Sequence, residues 1–159
     1  MSFDISVSSF RNGENHPFPR QILEDAFAPY VVKRKELGPS SSGIPGLCLS
    51  IFCPDEPPGV FPSDLYVDDL PDITGFSVDR PPGTPLFCLA LVRVLRQTPS
   101  VLYWPGPGCC VADAEVIAQL PESWINPRVP IENQPGIPTV LSKDDGEAAA
   151  LIDEMVRGG

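Results

Sequence analysis

The sequence predicts an α+β fold, in which a mixed or mainly antiparallel sheet carries about three helices within one domain spanning residues 1–159. Three observations lead there. Several short runs alternate apolar and polar residues, the period of half-buried strands. Helical periods are interspersed among those runs with short connections, which favours α+β over separate layers of one element type. The 21 Pro and 13 Gly are spread along the chain, so they punctuate short elements rather than form a low-complexity tail.

In chain order, residues 2–10 place Phe3, Ile5 and Val7 on one face and read as a strand. Arg11-Asn12-Gly13-Glu14-Asn15 is rich in turn formers. Phe18 to Phe27 reads as a short helix with Pro19 in its first turn and an apolar stripe of Ile22, Leu23, Ala26 and Phe27, stopped by Pro29. Tyr30 to Arg34 and Leu47 to Phe52 are strand candidates around a Gly/Pro/Ser loop from Gly38 to Gly46. Pro54 to Pro62 is another loop. Leu65 to Asp68 and Ile73 to Val78 form a strand pair across Asp69-Leu70-Pro71-Asp72.

The best-defined element follows. Thr84 is placed to cap a helix whose first position is Pro85, and Leu86, Phe87, Leu89, Ala90, Leu91, Val92, Val94 and Leu95 cover more than half its circumference. Arg93 and Arg96 complement its C-terminal dipole before Pro99 ends it. Val101 to Trp104 is a buried strand, turned by Pro105-Gly106-Pro107-Gly108 into Cys109 to Ala112. Asp113 is placed to cap a short helix through Leu120. Residues 121–137 look irregular, and Thr139-Val140-Leu141 is a short strand. Ser142 is expected to cap a last helix to Arg157 with Ala149, Leu151, Ile152, Met155 and Val156 in the core.

Composition narrows the function. A formal net charge of -10 argues against nucleic acid as the principal ligand, because phosphate binding needs Lys and Arg to release counterions. Met1-Ser2-Phe3-Asp4 has no basic leader segment and no apolar run nears membrane-spanning length, so a cytoplasmic protein with no membrane partner is expected. Five cysteines with zinc-incompatible spacing and a single His argue for reduced, packed thiols, with neither a metal nor a cofactor. Asp64, Asp68, Asp69 and Asp72 do not match a calcium loop, and Gly106-Pro107-Gly108 lacks the Lys of a phosphate loop. No Ser, Cys or His signature marks a nucleophile, so no catalytic residue is assigned.

Charge is unevenly placed. From Leu37 to Asp79 there is no Lys or Arg, yet Asp55, Glu56, Asp64, Asp68, Asp69, Asp72 and Asp79 fall there. Strict alternation over 64–69 turns Leu65 and Val67 inward and leaves Asp64, Tyr66 and Asp68 outward. Carboxylates flanking a tyrosine suit a basic protein partner, which they can hold by charge-assisted bonds. An ordinary solvated strand face is the competing explanation. Trp104, before its Pro/Gly loop, is a secondary contact if exposed and a core residue if not.

The runs Met1 to Ile5, Phe10 to Glu14, Phe18-Pro19-Arg20, Asp64 to Asp68, Ile73 to Pro81, Val101 to Gly106 and Ile137 to Val140 resemble a family of small bacterial proteins. That family in turn looks similar to the immunity proteins of bacterial toxin systems. The Pro/Ser/Gly stretch near 38–46 and the second cysteine, Cys110, depart from its pattern. The resemblance implies a non-catalytic inhibitor that binds and blocks a cognate, basic toxin. Its expected contacts are Asp64, Tyr66, Asp68, Asp69 and Asp72, with Trp104 secondary. The alternatives are a small cytosolic enzyme working through Tyr66, Asp68 or a cysteine, or a non-catalytic scaffold domain.

Overall fold

The computed structural model describes residues 4–104, 110–112, 114–121 and 143–158. Its fold is α+β, built on a mostly antiparallel sheet. The strands are β1 (Asp4–Arg11), β2 (Glu14–Asn15), β3 (Phe18–Pro19), β4 (Val31–Pro39), β5 (Pro45–Ile51), β6 (Ser63–Asp68), β7 (Asp72–Ile73), β8 (Gly75–Asp79), β9 (Ser100–Tyr103) and β10 (Cys110–Ala112). The helices are α1 (Arg20–Phe27), α2 (Pro85–Gln97), α3 (Ala114–Ile117) and α4 (Asp145–Gly158), with a 3-10 turn at Ala28–Tyr30. The expected Pro/Gly turn after Trp104, the Asp113 and Ser142 caps and the strand at 139–141 lie outside the described residues.

The main sheet runs β10-β9-β1-β8-β6-β5-β4, with β2 paired to β1. Both neighbours of β1 are antiparallel to it, so β8 and β9 run parallel to each other. The intervening α2 supplies the long connection that such a pair requires. Period-2 alternation decides which face each side chain takes. Ile5, Val7, Leu47, Leu49, Leu65, Val67, Phe76, Val78 and Leu102 form one buried face with residues of α1, α2 and α4. A smaller cluster of Phe10, Val101, Ala112, Val116, Ile117 and Leu120 closes one end of the opposite face beneath α3.

Local chemistry explains the turns. Asn12 and Gly13 both have positive φ, at 53° and 78°, and join β1 to β2 as a two-residue hairpin loop. β4 and β5 pair as far as Pro39 and Pro45, so the connection between them is shorter than the predicted 38–46 loop. Val32 is an extra residue in that ladder and is 60% exposed. On the margin strand, Lys33, Arg34 and Lys35 discourage edge-to-edge pairing.

One helix start and one helix cap differ from expectation. Phe18 and Pro19 are extended and pair with Ile73 and Asp72, so α1 begins at Arg20 with Pro19 in the cap position. Thr84 occupies the cap position of α2 without a capping bond from its side chain. The carboxylate of Asp55 does that work from the preceding loop, accepting the Leu86 N–H at 3.0 Å. Asp55→Ala is therefore expected to lower stability by about 1 kcal/mol. Urea unfolding checks this; an unchanged midpoint would dismiss Asp55 as the cap.

α4 begins near its expected start, where the Asp144 carboxylate accepts the Glu147 N–H at 2.9 Å. Arg96 of α2 pairs with Asp145 at 2.7 Å, fixing the two helices against each other. Among the described residues no helix is long and apolar enough to cross a membrane.

Candidate functional site

The face of the sheet away from α1, α2 and α4 is polar where α3 does not cover it. Strand register arranges it in rows, because directly opposed residues in an antiparallel pair project to the same side. In one row Asp4 of β1 lies opposite Asp79 of β8, and Asp79 lies opposite Asp64 of β6. Ser50 of β5 and Lys33 of β4 continue that row. The next holds Ser6, Ser77, Tyr66, Cys48 and Lys35 in the same strand order. A third begins with Leu37, Gly46 and Asp68 on β4, β5 and β6. The face is thus acidic across β1, β8 and β6 and basic along β4.

Burial of Leu65 at 0% and Val67 at 5% projects Asp64, Tyr66 and Asp68 the other way, as their spacing predicts. Tyr66 is 39% exposed. Asp64 is half-buried and accepts a hydrogen bond from Ser50 Oγ at 3.2 Å. Asp68 is exposed and, among the described residues, makes no ion pair or side-chain hydrogen bond.

The other predicted contacts do not join this stripe. Asp69 is turned toward α1, where Arg20 holds it at 2.7 Å; Arg20 also reaches Glu24 at 3.7 Å. Its charge is answered within the molecule. Asp72 is exposed but belongs to the small β3–β7 ladder, off the main sheet. Trp104 is a core residue at 6% exposure, because it shares the helix-covered face with Leu102 two positions earlier. It presents no ring for a partner. Tyr103 points the opposite way and reaches Ser8 Oγ at 3.1 Å.

Sequence reasoning missed Asp4 as a member of the site and left Asp79 out of it. Both were accessible in part, since alternation in β1 and β8 opposes them to Ile5 and Val78. Their meeting depends on the pairing of strands far apart in the chain, Asp4 with Asp79, which no local pattern encodes.

Electrostatics follow from the rows. A hydrogen bond with Asp79 raises the pKa of Asp4, helped by desolvation and by the Asp79 charge, against the lowering effect of the Arg80 backbone N–H. Arg80 lies 3.7 Å from Asp79 and adopts a positive φ of 50°, an uncommon conformation for a side chain of its size. A raised carboxyl pKa means that the folded state binds the proton more tightly than the unfolded chain. Asp4 therefore favours folding below its ordinary value of about 3.9, and that contribution is lost as pH rises through the shifted value. Asp4→Asn is expected to raise the urea midpoint at pH 7, with the gain vanishing in acid and shrinking in high salt. A lower midpoint at pH 7 would show that the paired charges do not oppose folding.

Desolvation, then Asp64 and Cys48, raises the Tyr66 pKa, so the phenol keeps its proton as a donor. Cys48 is raised chiefly by burial and then by Asp64, against Lys35 and Lys33. Cys53 is pushed up to about 12 by burial, with Glu56 and Asp55 adding to it. Both thiols are held protonated, the poorer nucleophilic form. Among the described residues no group of His, Cys, Asp and Glu is arranged to hold a metal.

No known protein family matches this chain, and no curated protein or solved structure is significantly similar to it. The functional reading accordingly rests on the geometry of the sheet face.

A second surface feature lies at the end of β6 and β8. Glu56, Val60, Phe61, Pro62, Arg80 and Pro82 help line a cavity of about 540 Å³ there. Phe61 is 82% exposed, so an apolar side chain stands beside the Asp64–Asp79 end of the face.

Proposed function

We propose that this chain is a binding protein that docks a basic protein on its open sheet face, in the manner of an immunity-type inhibitor that blocks a cognate bacterial toxin. The observation that carries the proposal is the cross-strand row Asp4–Asp79–Asp64 beside exposed Tyr66 and Asp68. Like charges directly opposed in a sheet oppose folding. A basic partner would relieve that repulsion on binding, which makes the arrangement favourable in a complex.

The physical sequence is short. The acidic face attracts a positively charged protein and orients it during encounter. Tyr66 contributes rigid contact area with a polar tip. Carboxylates then pair with Lys or Arg that would otherwise hold an anionic substrate, and the body of the sheet covers the toxin's site. The supporting shape is an open, rigid sheet surface braced from behind by α1, α2 and α4.

The test is to seek a basic toxin domain encoded beside this gene and to co-express the two proteins. The expected result is a one-to-one complex on size exclusion whose association slows as salt rises, with relief of the toxin's growth defect. If the purified proteins pass the column separately at micromolar concentration, the inhibitor reading is discarded.

A further inference from the structure

The β6–β8 ladder does not run the length of its strands. Its pairs are Asp64 with Asp79, Leu65 with Val78 and Tyr66 with Ser77, and there it stops. Beyond Tyr66, β6 stays with β5, where Val67 pairs with Leu47 and Asp68 with Gly46. Gly75 instead pairs with Ser8 of β1. The intervening chain departs to form β7 against β3, which draws the two strands apart. A slot of about 300 Å³ opens where they separate, lined by Leu37, Gly46, Tyr66, Asp68, Gly75 and Ser77 together with Val67 and Phe76.

Two glycines border this space. A Cβ on Gly75 would meet the Val7 carbonyl oxygen at 2.2 Å, so close approach to β1 demands glycine there. Gly46 leaves room beside Leu37, whose side chain a Cβ would meet at 3.4 Å. The chemistry of the lining is mixed in a particular way. Leu37 offers apolar surface, Tyr66 an aromatic ring, and Asp68 a carboxylate with no partner of its own among the described residues, while the core residues Val67 and Phe76 close the slot from beneath.

We infer that this slot receives one arginine side chain projecting from the basic partner, with its guanidinium against Tyr66 and paired to Asp68. The inference rests on the docking face argued above and specifies what that face grips. An arginine stem can lie along the apolar side chain of Leu37 while its head stays polar. The planar head stacks on an aromatic ring and bonds a carboxylate through two parallel N–H groups, which an ammonium cannot reproduce. Lys33 and Lys35 along β4 repel a cation from that margin and steer it toward the acidic strands.

The test is a titration of the 15N-labelled protein at low salt with acetyl-Gly-Arg-Gly-amide, beside its lysine and citrulline counterparts. Saturable amide shifts should centre on Gly46, Tyr66, Asp68, Gly75 and Ser77 with the arginine peptide, and be weaker with lysine and absent with citrulline. Asp68→Asn should weaken the arginine response by about tenfold, the loss of one charge-assisted contact. Asp72→Asn, with the same change of charge off the face, should leave it intact. An equal response to lysine or citrulline, shifts centred elsewhere, or no saturable shift overturns the slot. A partner complex that forms normally while the slot ignores arginine sinks this inference alone, whereas arginine binding without any partner complex sinks only the inhibitor reading.

Discussion

Asp68→Lys is expected to weaken the complex with a basic partner by well over tenfold, and combining it with Asp64→Lys to extend the loss beyond a hundredfold. Losing one side of a desolvated, hydrogen-bonded charge pair costs roughly 2–5 kcal/mol, and each 1.4 kcal/mol or so is a factor of ten in affinity. Reversal adds repulsion to that loss. Folding should survive, because both side chains stand on the polar face while Leu65 and Val67 hold β6 in the core. The discriminating control is Asp72→Lys, which makes the same change in net charge away from the main sheet. It should slow association modestly through the long-range field and leave dissociation unchanged. Calorimetry for affinity and surface plasmon resonance for rates, after a melting curve to verify folding, make the comparison. Equal losses at 68 and 72 would show that overall charge, not this face, governs binding.

The same residues show how far the sequence could be read. Alternation over 64–68 correctly divided Leu65 and Val67 from Asp64, Tyr66 and Asp68, because a strand with one buried face leaves its pattern in every second residue. The α2 element was equally legible: seven of its residues are buried, and Pro85 sits at its start. What could not be read were partners remote in the chain. Asp69 belongs by sequence to the acidic run, yet its charge is spent on Arg20, 49 positions away. The cap of α2 comes from Asp55, 31 positions from Leu86, although Thr84 is the obvious local choice. Asp4 and Asp64 enter one site only because β8 lies between their strands. Local composition also leaves Trp104 undecided. Its place on the helix side follows from the phase of β9, which the pairing of Leu102 with Val7 fixes.

Phe27→Ala is expected to cost about 3–5 kcal/mol, the range for deleting a large buried aromatic. Phe27 is fully buried, with ring centroids 6.3 Å from Phe76 in an edge-to-face contact and 5.7 Å from Phe87. One ring thus ties α1 to β8 and α2, and its removal leaves a cavity where three elements meet. Set against a typical domain stability of roughly 5–15 kcal/mol, this is a severe loss. The urea midpoint should fall steeply with little change in slope, since the surface exposed on unfolding is nearly the same. A loss below about 1 kcal/mol would mean that the site collapses around the smaller residue or that α1 contributes little to the core. Affinity should move differently. Phe27 packs on the helix-covered side of the sheet, whereas Asp64, Tyr66 and Asp68 project from the other. At a temperature where the variant remains folded, its affinity for a basic partner should match that of the parent. A weakened complex from folded protein would show that support from α1 helps hold the acidic rows in register, so that stability and recognition are coupled through the sheet.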